Sequence, residues 1–274
     1  MKTEKVLILT DFSDGASHLL PYGLALAEQL QAQIWIQHVY YIPPLVAGDV
    51  YIPADFLKQY EENIQHEFKR LKKKIPALQA EATRFVLSYG DLVTEMNNLI
   101  EQEQINLVIV GNHGGGFLTN VLGSNTIKVI QHASCPVLSV PNEAIFQQFQ
   151  RIALAIDLKE TDSRLLGLMV SFAQAFGGRV DIVHVSKAPV PVDVQKLLHN
   201  LDMTLEGVKH ELFHIHASDV EQGIEQHLEG NNNDLLVLFP RTHSFFDRLF
   251  QKSISRQVAY QKKIPLLSIH PQQK

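Results

Sequence analysis

Two hydrophobic patterns alternate along the chain, and their whole order occurs twice. Short continuous apolar runs, typical of strands buried on both faces of a parallel sheet, alternate with stretches whose apolar residues recur at three- and four-residue spacing, typical of helices. The first run of each half closes on an aspartate, the second ends in His-Val, and the last contains a proline. The predicted strands are 5–11, 34–39, 83–87, 107–110 and 135–140 in the first half, and 151–157, 180–185, 211–215, 235–238 and 264–269 in the second.

Strands that alternate with helices predict right-handed crossovers and a parallel sheet. The repeat therefore predicts an α/β protein with two tandem doubly wound, Rossmann-like domains, each with a mostly parallel five-stranded sheet. We expect helices near 91–103 and 219–229, and a boundary within 142–150 that gives domains 1–144 and 145–274. The proline- and tyrosine-rich segment 40–53 interrupts the pattern. A segment this long serves as a lid or a contact surface, or it packs against the other half, and these interpretations stay open.

Composition narrows the class of protein. The net charge of −5 argues against a nucleic-acid-binding surface, which usually requires a basic surplus. The single cysteine, Cys135, excludes an intrachain disulfide, and we expect it to be buried and inert. No signal-peptide pattern opens the chain, and no apolar run reaches the ~20 residues of a membrane span. The sequence thus predicts a cytoplasmic protein with no membrane partner.

A glycine-rich loop follows the fourth strand of the first half. It runs from Gly111-Asn112-His113-Gly114 to Gly123-Ser124-Asn125-Thr126, where a further helical pattern begins. Glycines at a strand end let the backbone approach a phosphate, and a helix N-terminus favours negative charge. Tight turns and helix caps use the same residues, so both interpretations stay open. The loop is neither a Walker loop nor the dinucleotide fingerprint, because it follows the fourth strand and lacks the Gly-Lys-Ser/Thr sequence.

These motifs together resemble the universal stress protein family in its tandem form. The resemblance covers essentially the whole chain and recurs in each half. It rests on Leu9-Thr10-Asp11-Phe12-Ser13, on His38-Val39, on the loop 111–126 and on the closing segment 129–137. The family's nucleotide-binding members have a spacer of nine residues between the second and third glycines of the loop, whereas this chain has eight, Gly115 to Leu122.

The resemblance implies that the first half binds ATP, with or without Mg²⁺. Asp11 would face the adenosine, Val39 would meet the adenine through its backbone, and the loop would hold the ribose and phosphates. His113 is the histidine best placed to touch a nucleotide, because it lies inside the loop. The expected nucleotide-binding residues are Asp11, Val39, Gly111, His113, Gly114, Gly123, Ser124, Asn125 and Thr126. We expect no catalytic residue and no metal ligand from the protein.

The second half departs from the family pattern. Phe239, Thr242 and Lys252 stand where the glycines would be, and Pro240 removes an amide donor. We expect a packing or partner-binding module there. Since family members commonly pair as dimers, we expect the two halves to pair within the chain through their last strands, 136–140 and 265–269. A homodimer and a separate protein partner are left open.

Two classes of function remain. The first is an adenine-nucleotide-binding stress or signalling protein, and the second is a non-catalytic interaction scaffold that has lost nucleotide binding in both halves. Weak ATPase activity is a third, less favoured candidate, since a fold does not imply turnover. His38 and His184 recur at one place in both halves, which suggests a shared structural role. His214 and His216 share one face of a predicted strand, and they are either metal ligands or surface and packing residues.

Overall fold

The structure is a computed structural model. It describes residues 3–41, 54–79, 83–111, 123–142, 144–156, 163–186, 201–239 and 264–269. The segment 42–53 and residues 112–122 of the glycine loop lie outside the described residues.

The described residues of the first half alternate between strands and helices in the predicted order. The elements are β1 (Lys5–Leu9), α1 (Asp14–Leu30), β2 (Gln33–Tyr40), α2 (Ala54–Lys74), a 3₁₀ turn (Pro76–Gln79), β3 (Thr83–Tyr89), α3 (Leu92–Glu103), β4 (Leu107–Gly111), α4 (Ser124–His132) and β5 (Val137–Val140).

The second half repeats that order over its described residues. The elements are β6 (Arg151–Ala155), α5 (Ser163–Phe176), β7 (Arg179–Ser186), β8 (His210–His216), α6 (Val220–Asn231), β9 (Leu235–Leu238) and β10 (Leu266–Ser268).

All ten described strands form one continuous sheet in the order β3-β2-β1-β4-β5-β10-β9-β6-β7-β8. Every pairing within a half is parallel, and each half has the order 3-2-1-4-5 of its own strands. The halves join where β10 runs antiparallel to β5, with Leu267 opposite Leu138. The fold class is confirmed, and so is the expectation that the last strands of the halves pair.

The central strands β1, β4, β5, β6, β9 and β10 are almost wholly buried and largely apolar, because they are covered on both faces, whereas the edge strands β3 and β8 are only partly buried. Val6 and Ile8 belong to one core cluster and Leu7 and Leu9 to the other, as the two-residue period of a strand requires. Each cluster contains residues of both halves, so both cores continue across the β5–β10 junction.

The segment between the halves is packed against both of them. Phe146 meets Tyr22 of α1 edge to face, with ring centroids 5.4 Å apart. Phe149 is buried and contacts Phe172 and Phe176 of α5 at 5.9 and 4.9 Å. These contacts tie α1 to α5 on one face of the sheet. Among the described helices, none combines the length and the apolar character needed to cross a bilayer.

Candidate functional site

The strand order reverses between β1 and β4 in the first half, and open α/β sheets bind ligands at this point. The chain leaves β1 towards β2 on one side, whereas β4 and β5 lie on the other. Val6 pairs with Leu107 and Ile8 with Ile109, so continuing this register brings Thr10 level with Gly111. The topology therefore brings the segment after β1 and the glycine at the end of β4 to the same edge of the sheet.

Asp11 lies in a sharp turn directly after β1. It is exposed, and its Oδ1 accepts hydrogen bonds from the Ser13 backbone N–H at 2.9 Å and from the Ser13 hydroxyl. Phe12 adopts the left-handed conformation at φ 61°, which costs an ordinary L-residue about 1–2 kcal/mol. Its N–H donates to Thr10 Oγ1 at 3.2 Å, and its ring packs against Phe68 of α2 at 4.9 Å. These contacts hold the turn that presents Asp11.

His38 holds the same turn from β2. The Thr10 N–H donates to Gln37 O at 3.0 Å, and the Thr10 carbonyl lies 2.8 Å from His38 Nδ1. The imidazole is buried and packs against the Phe12 ring at 4.8 Å. Burial lowers the pKa of His38, although the Thr10 carbonyl and the Asp11 charge act in the opposite direction. The structural role suggested by the repeated His-Val sequence is confirmed.

Val39 follows on β2, where it is half-buried and lies opposite Ser88 of β3. Beyond it, Tyr40 meets Tyr60 of α2 and Tyr89 of β3 with ring centroids 5.1 and 5.3 Å apart. This aromatic cluster lies at the ends of β2 and β3, on the same edge of the sheet as Asp11 and Val39. The tyrosines along 40–53 suggested a contact surface, but the packing of Tyr40 with Tyr60 and Tyr89 is set by the tertiary fold and was not foreseen.

The second part of the glycine loop leads into α4. Gly123 is its N-cap residue, with φ −60° and ψ 150°, and Ser124 and Asn125 are exposed in the first turn. The Thr126 side chain is 2% exposed, and its hydroxyl donates to Gly111 O at 2.8 Å. This bond ties the start of α4 to the end of β4. Thr126 therefore braces the loop with its side chain, while the first-turn amides are the groups that a helix leaves without intrahelical partners.

His113 and Gly114 lie outside the described residues, as do Thr242 and Lys252 of the second half. The other predicted residues lie on, or directly beside, elements that end or begin at the carboxyl edge of the first half's sheet: Asp11, Val39, Gly111, Gly123, Ser124, Asn125 and Thr126.

The corresponding edge of the second half keeps the histidine bond but not the glycine. His184 Nδ1 lies 3.1 Å from Ile156 O, and the Ile156 N–H donates to Val183 O at 3.0 Å, as Thr10 does to Gln37. Phe239, the counterpart of Gly111, packs against the core cluster. Its side chain occupies volume at the place where the first half has a bare backbone.

Two further sequence expectations concern reactive groups. Cys135 is buried, and burial raises the pKa of its thiol to about 12, so the nucleophilic thiolate is suppressed at neutral pH.

The second expectation concerns His214 and His216. His214 Nε2 lies 2.9 Å from Ser186 Oγ, and the His214 ring stacks on His184 with ring centroids 5.7 Å apart. Across the described part of the chain, no group of three or more histidine, cysteine or acidic residues is arranged to hold a metal ion.

Comparison with known proteins agrees with this architecture. A sequence model described as the universal stress protein family matches residues 2–141 and again 148–270. Universal stress protein YxiE of Bacillus subtilis is 28% identical over 144 residues, which is 50% of this chain and 97% of that protein. Universal stress protein MJ0531 of Methanocaldococcus jannaschii is 27% identical over 142 residues, 50% of this chain and 81% of the relative.

Among solved structures, a universal stress protein from Archaeoglobus fulgidus matches 99% of this chain and 97% of its own, with a TM-score of 0.76 at 19% identity. At this identity the likeness shows the fold, and it extends through both halves. Since the family's sequence model also matches each half separately, the chain belongs to the universal stress protein family and carries its domain twice.

Proposed function

We propose that the first half, residues 1–144, binds an adenine nucleotide, and that its occupancy makes the protein a stress-response or signalling module. The observation that carries this proposal is the convergence of the Asp11 turn, Gly111 and the start of α4 at the point where the strand order reverses. Gly111 and Gly123 put no side chain at this edge, and open α/β sheets bind ligands at this position.

Each described residue has a role in this proposal. The Asp11 carboxylate faces the ribose of the adenosine, and the Val39 backbone meets the base. Gly111 lets the sugar and phosphates approach β4. Ser124 and Asn125 donate to phosphate oxygens from the N-terminus of α4, whose dipole favours negative charge. His113 and Gly114 complete the predicted set. Mg²⁺, where present, would be held by the nucleotide's phosphates, as this ion commonly is.

We infer binding without efficient turnover. His38 supports the turn that carries Asp11, and its Nδ1 is committed to the Thr10 carbonyl. It is also buried behind Phe12 and therefore poorly placed as a general base. Nucleotide occupancy, rather than hydrolysis, is then the property that a partner would sense.

A second role belongs to residues 145–274. Phe239 fills the place of Gly111, and β10 completes a sheet that runs through both halves. We propose that this half is a packing and partner-binding module that holds the first half in shape. The scaffold alternative, in which neither half binds a nucleotide, differs in one measurable respect, which is the affinity of the whole chain for ATP.

The test is calorimetric titration of the nucleotide-stripped chain with ATP, with and without Mg²⁺. We expect saturation near one nucleotide per chain. Ser124→Asp and Ser124→Asn form a matched pair at an exposed position, because the two side chains have similar size and differ in charge. A carboxylate about 4 Å from a phosphate repels it by about 4 kcal/mol per unit charge at an effective dielectric constant near 20. We therefore expect at least a tenfold loss of affinity with Asp and little change with Asn.

The outcomes separate the two candidates. Equal affinities for both Ser124 variants would remove α4 from the phosphate site. An absence of heat at millimolar ATP, with native circular dichroism, would favour the scaffold. Release of inorganic phosphate by the loaded protein, abolished in Ser124→Asp, would instead establish an ATPase.

A further inference from the structure

One hydrogen bond is built identically into both halves. The carbonyl of the first residue past β1, Thr10, meets His38 Nδ1 at 2.8 Å, and the carbonyl of the first residue past β6, Ile156, meets His184 Nδ1 at 3.1 Å. Both imidazoles are buried, with 8% of each residue exposed. Each histidine thus satisfies a carbonyl at the point where the chain leaves the sheet.

The acceptor fixes which ring nitrogen of His38 donates. A carbonyl oxygen only accepts, so Nδ1 carries the proton and donates it to Thr10. His38 Nε2 has no hydrogen-bond partner among the described residues. A proton there would be a buried donor without an acceptor, and burial lowers the pKa of this histidine accordingly. His38 therefore acts as a neutral ring with one donor, directed at Thr10.

The first half adds a second contact on the other side of Asp11. The ring of Phe12, whose backbone is left-handed, packs on the His38 imidazole at 4.8 Å. His38 consequently holds the residue before Asp11 by a hydrogen bond and the residue after it by ring contact. Asp11 itself is exposed between these two fixed neighbours.

We propose that His38 is a positioning residue for the nucleotide site, which sets the direction of the Asp11 carboxylate without touching the ligand. The inference rests on the proposed function of the first half. Its physical basis is preorganisation: a turn already held in the bound geometry loses less conformational freedom when the ligand arrives. His184 makes the same bond in the half where Phe239 replaces the glycine, and there it serves the fold alone.

The repeat supplies the matched control. We would replace each histidine in turn by Leu, Gln and Asn in the full-length chain. The amide nitrogen of Asn lies near the place of the histidine Nδ1 and keeps the donor, whereas Gln reaches past it and Leu has none. We expect His38→Leu and His38→Gln to weaken ATP binding at least tenfold and His38→Asn to stay within about threefold of the parent, because 1.4 kcal/mol of lost preorganisation is a factor of ten. The His184 variants should bind ATP as the parent does.

A second readout does not depend on the nucleotide. Amide hydrogen exchange at residues 10–13 should accelerate in His38→Leu and His38→Gln, and should remain slow in His38→Asn and in all His184 variants. Should a Leu variant fail to fold, the Asn and Gln pair decides the question alone, since both side chains are polar and similar in volume.

Each outcome bears on a distinct claim. If the parent binds ATP and the His38 variants bind equally well, the positioning role is overturned while the proposed function stands. If His38 and His184 variants lose affinity together in proportion to their loss of stability, the bond is structural in both halves and the inference fails. If the parent does not bind ATP, the proposed function fails and takes this inference with it, whatever the exchange data show.

Discussion

Replacing Asp181 by leucine should destabilise the whole protein by about 3–5 kcal/mol, because its carboxylate is a fully buried centre of polar contacts. Asp181 Oδ2 accepts from Arg151 Nε at 2.7 Å, from Asn233 Nδ2 at 2.9 Å and from His227 Nε2 at 3.2 Å. Arg179 lies 3.3 Å from the other oxygen. The carboxylate thereby joins β6, β7, the end of α6 and the segment that enters β9.

The magnitude follows from the groups left behind. The donors of His227 and Asn233 are buried, and a buried donor without an acceptor costs about 1–3 kcal/mol. Two of them account for most of the expected loss. The side chains of Arg151 and Arg179 are 28% and 41% exposed and can turn to water, so they add less.

In the first half, the positions that correspond to Asp181, His227 and Asn233 carry uncharged, apolar side chains. Trp35 pairs with the third residue of β1 as Asp181 pairs with the third residue of β6. Leu99 and Ile105 occupy the places of His227 and Asn233 relative to the neighbouring helix and strand. A triple variant should therefore compensate for the loss of the carboxylate: Asp181→Leu, His227→Leu and Asn233→Ile. We expect it to recover most of the loss, because it removes the two buried donors together with the acceptor and leaves only the partly exposed Arg151 and Arg179, which can turn to water.

The assay is urea unfolding followed by circular dichroism and by fluorescence. The chain has one tryptophan, Trp35, which lies in the first half. Because the sheet and both cores continue through the junction, the fluorescence midpoint should shift together with the circular dichroism midpoint even though Asp181 lies in the second half. A loss below about 1 kcal/mol for Asp181→Leu, or a triple variant less stable than the single one, would refute the reasoning.

Three further outcomes follow from the same structure. Tyr22→Phe should raise the thermal midpoint by the equivalent of about 1 kcal/mol, because the buried Tyr22 hydroxyl has no partner among the described residues; a lowered midpoint in calorimetry would contradict this. Asp91→Ala and Asp219→Ala should each cost about 1 kcal/mol in urea titrations, since each carboxylate caps two amides of the following helix, and unchanged midpoints would show that the caps are dispensable. Burial lowers the pKa of both His38 and His227, so at these two residues the folded state binds fewer protons than the unfolded one. Their contribution to stability is full above pH 6.5 and is lost as the pH drops from there through the lowered values, while the raised pKa of His210, beside Asp202, acts in the opposite direction. Urea midpoints should therefore fall on acidification less steeply in His227→Leu than in the parent, and equal slopes would exclude His227 as a dominant titrating residue.

The sequence predicted the fold well because its strands are buried on both faces. The central strands of this kind are apolar at nearly every position, so their limits are visible in the pattern. The fourth strand was predicted at 107–110 and lies at Leu107–Gly111, and the helix predicted at 91–103 lies at Leu92–Glu103. β2 and β3 continue further than predicted, to Tyr40 and Tyr89, because aromatic packing rather than an apolar run closes that edge.

The site was harder to predict, because its supports join residues far apart in the chain and often use backbone atoms. The repeated His-Val sequence revealed that His38 has a structural role, but its acceptor is a carbonyl, which every residue carries. Thr126 was assigned to phosphate from its place in the motif, whereas its hydroxyl binds Gly111 O. The polar layer around Asp181 left no local pattern either, since its donors come from four separate segments.

Comparison of the halves separates what the fold requires from what a ligand would require. Both halves keep the histidine bond to the residue that leaves the first strand, and both keep an aspartate cap on the helix before the fourth strand. Only the first half has a glycine at the end of that strand, where the second has Phe239 packed into the core. A bond present in both halves belongs to the fold of each, so His38 is held in place before any ligand arrives. In our proposal the first half uses that bond a second time, to hold Asp11 towards a nucleotide. This dual use explains why a buried histidine that does not touch the ligand should still control the affinity for ATP.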